Sequence, residues 1–152
     1  MIKLSKMTDY AVVCLGTLAR RSGHSMSANE LSKETGLALY TVQNLLKLLV
    51  SKSDFVMANR GALGGYMLDR NSSEISVVEI KEALDGPITL TSCVDKSESF
   101  CEASDICFLG GKWNKINEII RKSLNDISLK ELLNYENPFL NDNKDALIDR
   151  IN

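Results

Sequence analysis

Residues 27–52 read SANELSKETGLALYTVQNLLKLLVSK, and this stretch decides the fold. Ser27 and Glu30 form a capping box, in which each side chain satisfies a backbone N–H at the start of a helix. Gly36 ends this short helix, because glycine accepts the left-handed backbone that closes many helices. A turn of three or four residues then leads into a second helix that runs to the end of the stretch.

This second helix starts at Leu39 or Tyr40 and has two distinct faces. Its apolar face carries Val42, Leu45, Leu46 and Leu49 at helical spacing. Its polar face carries Tyr40, Thr41, Gln43, Asn44 and Lys47. Two short helices joined by a tight glycine-containing turn are typical of the helix-turn-helix, whose second helix reads the major groove of DNA. An ordinary helical hairpin has the same pattern and remains the alternative for this stretch alone.

The residues that follow predict a β-hairpin. Phe55-Val-Met-Ala and Tyr66-Met-Leu-Asp are two short strand candidates on either side of the turn sequence NRGALGG at residues 59–65. The three glycines of this turn permit backbone angles that are closed to other residues. A hairpin directly after a recognition helix is a wing, whose tip can reach the minor groove and the phosphates. The candidate DNA contacts in the wing are Arg60, Gly61 and Gly64. A solvated turn residue is the alternative for Arg60.

Two further helices complete the predicted DNA-binding domain. Residues 9–21 are apolar almost all round behind a Thr8 or Asp9 cap, which predicts a helix buried in the middle of the domain. Cys14 lies on this helix, and we interpret it as a small core residue. A second capping box begins at Ser76 and starts a helix that a Gly-Pro pair ends.

The second half of the chain contains a segment without sustained periodicity and then a long amphipathic helix. Residues 88–111 contain three cysteines and end in two glycines. From residue 112 apolar side chains recur at steps of three and four: Trp113, Ile116, Ile120, Leu124 and Ile127. The other faces carry Asn117, Glu118, Arg121 and Lys122. The apolar stripe of such a helix is expected to pack against another helix, which predicts a homodimer. Packing against its own subunit is the alternative. A third capping box, Ser128 to Glu131, starts a short last helix.

We therefore expect a mainly α fold with a small β-wing, a winged helix-turn-helix plus a long dimerisation helix. The DNA-binding domain covers residues 1–86, the cysteine-containing segment 87–111, the dimerisation helices 112–135 and a tail 136–152. The chain of 152 residues has a net charge of -2, but its basic excess lies in the first half. The first 75 residues hold nine Lys and Arg against six Asp and Glu, and the rest nine against fourteen. A basic surface for a DNA partner is therefore expected in the first half, and a chance asymmetry is the alternative for an imbalance of this size.

The sequence also limits where the protein is expected to reside and which kind of activity it is expected to have. No apolar run approaches the roughly 18 residues needed to span a bilayer, and the polar N-terminus differs from a signal peptide. We expect a soluble, cytoplasmic protein. The sequence shows no nucleophile–base constellation and no nucleotide-binding loop, so a non-enzymatic role is predicted. His24, the one histidine, falls in a predicted surface turn and receives no role.

The three clustered cysteines, Cys93, Cys101 and Cys107, are the candidate chemical centre. In a cytoplasmic chain such a cluster indicates metal binding or redox chemistry. Soft thiolates select zinc, copper(I) or iron–sulfur clusters. The spacing is wider than that of structural zinc sites, and no histidine lies nearby to complete a zinc cage. A thiol–disulfide switch needs two of the three cysteines and remains an alternative.

Together these features resemble the Rrf-two family of winged-helix regulators, and within it the regulators of SUF-system iron–sulfur assembly. The resemblance runs from Met1 to about Leu133. The matching stretches are Leu4–Ala11, Arg60–Tyr66, Ile75–Ile80, Gly86–Ile88, the three cysteines and Trp113–Ile116. The resemblance implies a homodimer that binds a palindromic operator in double-stranded DNA. It also implies an iron–sulfur cluster, with two or four irons, that is ligated by the three cysteines, and repression of cluster-assembly genes.

One position departs from part of that family. Relatives of the Isc-regulator type have a histidine where this chain has Gly110. Other members use an acidic residue at the start of the first helix of the partner subunit as the remaining ligand, and Asp9 matches that position. Glu102 and Asp105 are alternatives, and Asp9 can instead be a helix cap. A nitric-oxide or thiol-redox sensor on the same scaffold, or an iron–sulfur carrier protein, are the rival functions.

Overall fold

A computed structural model describes residues 4–21, 23–61, 64–92, 94, 107–109 and 111–134. Six helices and two strands follow one another in the described residues. They are α1 Lys6–Arg20, α2 Ala28–Thr35, α3 Leu39–Lys52, β1 Val56–Asn59, β2 Gly65–Leu68, α4 Val77–Asp85, α5 Trp113–Asn125 and α6 Leu129–Asn134. The predicted tail after residue 135 lies outside the described residues. The mainly helical fold with a two-stranded wing confirms the predicted fold class.

The helix-turn-helix forms as the sequence predicts. Ser27 and Glu30 make the reciprocal capping box at the start of α2, and Gly36 ends that helix with a left-handed φ of 73°. The apolar face of α3 lies in the core, and its four predicted side chains are fully buried: Val42, Leu45, Leu46 and Leu49. The burial of this face fixes the rotation of α3 about its axis, so the polar face points away from the core.

The start of α1 differs from the prediction. The N-cap is Ser5, whose side chain accepts the N–H of Thr8, so α1 begins at Lys6 and not behind a Thr8 or Asp9 cap. Thr8 is not available as a cap, because it is buried and its hydroxyl donates to Asp85. Asp9 lies in the first turn of α1, where its carboxylate is favoured by the helix dipole. Cys14 is fully buried, which confirms it as a core residue.

The wing is an antiparallel pair in which Met57 lies opposite Met67. On its other edge, β2 exchanges two backbone hydrogen bonds with Met26, through Met26 N–H to the Tyr66 carbonyl at 2.9 Å and Tyr66 N–H to the Met26 carbonyl at 2.7 Å. These bonds join the wing to the residue just before α2. The hairpin is therefore fixed to the helix-turn-helix close to its turn.

The glycines of the wing turn serve two different purposes, which corrects the prediction that all three supply unusual angles. Only Gly61, with φ of 116°, has a left-handed backbone among the described wing glycines. Gly64 and Gly65 are instead required by close approach of backbone. A Cβ at Gly65 would lie 2.6 Å from the carbonyl oxygen of Met26, and one at Gly64 would lie 2.5 Å from that of Asn59.

The C-terminal helix α6 returns to the core of the DNA-binding domain. The predicted capping boxes at Ser76 and Ser128 both form, and these two residues face each other in an antiparallel bridge. Leu129, the first residue of α6, is fully buried in the core. Leu133 packs against α1 at Gly16, where a Cβ would lie 2.6 Å from the leucine side chain. The absence of a side chain at Gly16 therefore lets α6 lie against α1.

Helix α5 forms at the predicted position, but its faces differ from the prediction. Asn117, which we placed on a polar outer face, is the most buried residue of the helix. Ile116, which belongs to the predicted apolar stripe, is 45% exposed, and Ile119, which the prediction left out of the stripe, is 56% exposed. The reason is that the helix packs its Asn117 side against the residues that follow α4, where the amide finds backbone partners.

Candidate DNA-binding surface and cysteine segment

The first turns of α3 present the candidate base-reading residues. Tyr40 is 75% exposed, and Gln43 and Lys47 are also exposed. Thr41 and Asn44 are half-buried at the edge of the same face. Phenol, amide and ammonium groups are the donors and acceptors that contact base edges and phosphates. The structure thus brings the five predicted α3 residues together on one outward surface.

The wing tip is exposed, while the wing base is held by Arg70. Arg60 lies at the exposed tip next to Gly61. Directly after β2, the Arg70 guanidinium donates to Asp54 at 3.0 Å, to Glu79 at 2.8 Å and to the Glu74 carbonyl at 2.6 Å. These contacts tie both ends of the hairpin to α4. The sequence alone gave no role to Arg70, because its partners do not stand at a spacing that any sequence motif predicts.

Glu79 is shared between this cluster and the capping box of α4. Its burial acts to raise the pKa of the carboxyl group, but the Ser76 N–H, the Arg70 guanidinium and the Ser76 hydroxyl outweigh burial and hold the pKa below its ordinary value. Glu79 is therefore ionised at neutral pH. The Glu79 carboxylate thus caps the start of α4 and also binds Arg70 at the base of the wing.

The cysteines fall into two environments. Burial raises the pKa of the Cys14 thiol to about 11, so this thiol stays protonated and unreactive at neutral pH. Cys107 is a half-buried free thiol. Cys93 and Cys101 lie outside the described residues, as do Gly110, Glu102 and Asp105. Within the described ranges no group of three His, Cys, Asp or Glu side chains is placed to hold a metal ion.

The residues that lead from α4 toward Cys93 are held by three helices. Asp85 accepts hydrogen bonds from the hydroxyls of Ser5 and Thr8 at the start of α1. Thr8 directly precedes Asp9 in the chain. Lys81 of α4 donates to the backbone carbonyls of Gly86 and Pro87, at 2.7 and 3.3 Å. We call residues 85–90 the hinge segment.

Asn117 of α5 holds the end of the hinge segment. Its amide N–H donates to the Ile88 carbonyl at 2.7 Å, and its amide oxygen accepts from the Leu90 N–H at 3.1 Å. Sequence reasoning missed this residue, although a signal was present. Asn117 lies four residues after Trp113 and three before Ile120, so it falls on the apolar stripe, where a polar residue marks a buried hydrogen-bonding partner.

A helix-turn-helix with an outward polar recognition helix, followed by a β-wing, defines a winged-helix DNA-binding transcription regulator. The chain belongs to the Rrf2 (Rrf-two) family, described as "Iron-dependent Transcriptional regulator", whose profile matches residues 4–135. This membership confirms the resemblance inferred from the sequence motifs. No helix in the described part of the chain is long and apolar enough to cross a membrane.

Curated relatives and solved structures agree with this assignment. The chain is 31% identical over 136 residues to the HTH-type transcriptional regulator IscR of Sodalis glossinidius, covering 89% of this chain and 81% of that protein. The solved structure of T. potens IscR is 25% identical, with a TM-score of 0.59 over 95% of this chain and 90% of that one. CymR, the global cysteine regulator of B. subtilis, shares the fold at 23% identity, with a TM-score of 0.67 over 90% of this chain and 100% of that one. These relatives are regulators and not enzymes.

Proposed function

We propose that this chain is a cytoplasmic, homodimeric repressor of iron–sulfur biogenesis genes that senses an iron–sulfur cluster. One observation carries the proposal: the hinge segment, from which the cysteines follow, is hydrogen-bonded to α1, α4 and α5. A change at the cysteines therefore reaches the DNA-binding helices and α5 through direct contacts. The family description as iron-dependent and the IscR name of the relatives support the choice of cofactor.

The proposed ligands are Cys93, Cys101, Cys107 and Asp9. Three thiolates and a carboxylate form a donor set that suits iron. Cys107 is a free thiol with partial access to solvent, and Asp9 is exposed in the first turn of α1, so both meet the accessibility that a ligand needs. When bound, the cluster supplies an iron centre whose state responds to iron supply and oxidants. The carboxylate makes this centre more labile than four thiolates would.

DNA recognition is assigned to α3 and the wing. The polar face of α3 enters the major groove, where Gln43 and Asn44 read base edges and Lys47 contacts phosphate. Tyr40 and Thr41, on the first turn, complete this surface. At the wing, Arg60 enters the minor groove, and the backbone at Gly61 and Gly64 approaches phosphates.

A second copy of the chain is the proposed partner of α5. The side of α5 that carries Asn117 is occupied by the hinge segment, whereas Ile116 and Ile119 remain exposed. Exposed isoleucines one turn apart on an amphipathic helix are typical of a helix–helix interface. A homodimer formed there places two recognition helices on a palindromic operator, so the orientation of α5 sets their separation.

A thiol-redox regulator on the same scaffold is the second candidate. It is favoured by the partly accessible Cys107 thiol, which is able to form a disulfide with another cysteine of its segment. In that case the relevant signal is thiol oxidation, and iron plays no role.

The test is to purify the protein anaerobically, record its visible absorbance and count iron and sulfide per chain. DNA binding is then compared for the loaded and metal-free protein, using duplexes that each form selects from a random-sequence pool. We expect a coloured protein that is dimeric by light scattering and whose DNA affinity depends on the cluster. A colourless protein whose DNA affinity responds only to thiol oxidation would establish the second candidate.

A further inference from the structure

We infer that Asn117 is a positioning residue that couples the cysteine segment to α5. This inference rests on the proposed function and deepens it. It assigns to one buried side chain the step by which a change near Cys93 alters the orientation of the proposed dimer helix.

Asn117 holds the backbone of residues 88–90 at two points. Its side chain is buried, with only 7% of the residue exposed. The amide donates to the Ile88 carbonyl and accepts from the Leu90 N–H, so both polar ends are used on one short stretch of backbone. A buried amide that loses such partners is left desolvated, which is unfavourable. A shift at residues 88–90 must therefore either move α5 with it or break two hydrogen bonds.

The location of these bonds along the chain gives them their importance. Ile88 is itself buried, and Leu90 lies three residues before Cys93, the first proposed ligand. Lys81 and Asp85 fix the earlier part of the hinge segment to α4 and α1. A displacement of Cys93 therefore acts first on residues 88–90, the end of the hinge segment that Asn117 holds. The two Asn117 hydrogen bonds pass this displacement on to α5.

A second polar contact joins α5 to α4 earlier in the chain. Arg121 forms a two-pronged ion pair with Glu82, at 2.8 and 2.9 Å. Glu82 precedes the hinge segment, and both side chains are partly exposed, so water and salt screen the pair. Asn117, in contrast, bonds directly to the backbone that leads to Cys93.

The experiment compares the parent with Asn117→Leu, which has nearly the same size but neither donor nor acceptor. Ser123→Ala is the matched control, because Ser123 is exposed on the same helix and its hydroxyl, among the described residues, bonds only to the Ile119 carbonyl of that helix. For each protein, operator affinity is measured with and without the cluster, on duplex DNA that the parent selected from a random-sequence pool. Iron content and melting temperature are measured in parallel.

The measured quantity is the ratio of the two affinities, which reports coupling and not stability. Coupled sites typically change affinity about 5–150-fold, so we expect the parent and Ser123→Ala to fall in that range. Asn117→Leu should bind iron and DNA but show a ratio reduced to below about threefold. A ratio equal to that of the parent in a folded, iron-loaded Asn117→Leu protein would overturn the inference.

A second variant keeps the test decisive if Asn117→Leu fails to fold. With its carboxyl group ionised, Asn117→Asp retains the acceptor for the Leu90 N–H and loses the donor to the Ile88 carbonyl. Measured at a pH where this group is ionised, its ratio should lie between those of the parent and the leucine variant. The full parental ratio in the Asn117→Asp protein would count against the inference. Failure of the proposed function gives a different result, because the parent itself would then bind DNA equally with and without iron, and both proposals would fall.

Discussion

The carboxylate of Asp85 accepts a hydrogen bond from the buried hydroxyl of Thr8 at 2.8 Å, although the two residues are 77 positions apart. The other carboxylate oxygen accepts from the Ser5 hydroxyl, also at 2.8 Å. Ser5 in turn caps α1 through the Thr8 N–H. The end of α4 and the beginning of α1 therefore form one hydrogen-bonded unit, immediately beside the proposed ligand Asp9.

The first prediction concerns this unit. Asp85→Ala leaves the hydroxyl of Thr8, which is 1% exposed, without its acceptor, so the free energy of unfolding should fall by about 1–3 kcal/mol. Urea denaturation of the metal-free protein measures this change. Glu118→Ala is the control, since Glu118 is an exposed carboxylate on α5. Equal stability of the two variants would show that the Asp85 contacts contribute nothing.

The second prediction concerns the wing tip. Arg60→Ala should weaken operator binding while leaving the melting temperature and the dimer unchanged, because an exposed tip residue contributes little to the core. Affinity is measured at several fixed salt concentrations, since phosphate and groove contacts by arginine are salt-dependent. Arg20→Ala, an exposed arginine at the end of α1, serves as the control for simple loss of charge. Parental affinity in the Arg60 variant would contradict the wing assignment.

The third prediction separates the core cysteine from the proposed ligands. Cys14→Ala should keep the cluster, because Cys14 is buried and its thiol, with a pKa of about 11, remains protonated. Serine in place of Cys93, Cys101 or Cys107 should each abolish a stable cluster. Iron, sulfide and visible absorbance are measured for the four variants. A Cys101→Ser protein with parental absorbance and lifetime would remove Cys101 from the ligand set and favour the thiol switch.

The fourth prediction concerns Asp9. Asp9→Ala should accelerate cluster loss or alter its spectrum without unfolding the protein, because Ser5 and not Asp9 caps α1. If Asp9 acts across the dimer, a heterodimer of an Asp9→Ala chain with a chain lacking all three ligand cysteines keeps one intact cysteine set facing one intact Asp9. That heterodimer should hold one cluster with the parental spectrum. The Asp9→Ala spectrum in its place would assign the ligand to the same subunit or to another residue.

The fifth prediction concerns acid stability and Glu79. Its pKa is lower in the folded protein than in the unfolded chain, so its ionised form stabilises the fold above the unfolded pKa. This contribution is lost as the pH falls through the folded pKa. Glu79→Gln should therefore reduce stability at pH 7 and flatten the loss of stability below about pH 4.5. Melting temperatures from pH 3 to pH 7 measure this, and an unchanged acid profile in the Glu79→Gln protein would contradict it.

The sequence was most informative where structure depends on near neighbours. Each capping box joins two residues three positions apart, and the left-handed turn at Gly36 depends on that residue alone, so these features could be predicted. The predicted strands were displaced by one residue, because their ends depend on how β1 and β2 pair, with Val56 opposite Leu68 and Asn59 opposite Gly65. The start of α1 was missed for a similar reason: the hydroxyl of Thr8 is bound by Asp85, far along the chain.

The candidate site shows the same division. The exposed face of α3 followed from periodicity, since the apolar face determines which residues remain outside. Asn117 did not follow, because a helical wheel shows which residues share a stripe but not what lies against it. The carbonyl and N–H groups that Asn117 binds belong to a segment without periodicity, so only the folded chain reveals them.

The contact between Gly16 and Leu133 has a consequence for how such regulators can recombine. Because a Cβ at residue 16 would lie 2.6 Å from a Leu133 methyl group and make that leucine shift, the two ends of the described chain are matched to each other. A crossover that joins the first 86 residues of one family member to the remainder of another would separate this matched pair. Chimeras that inherit α1 and α6 from the same parent preserve the fit.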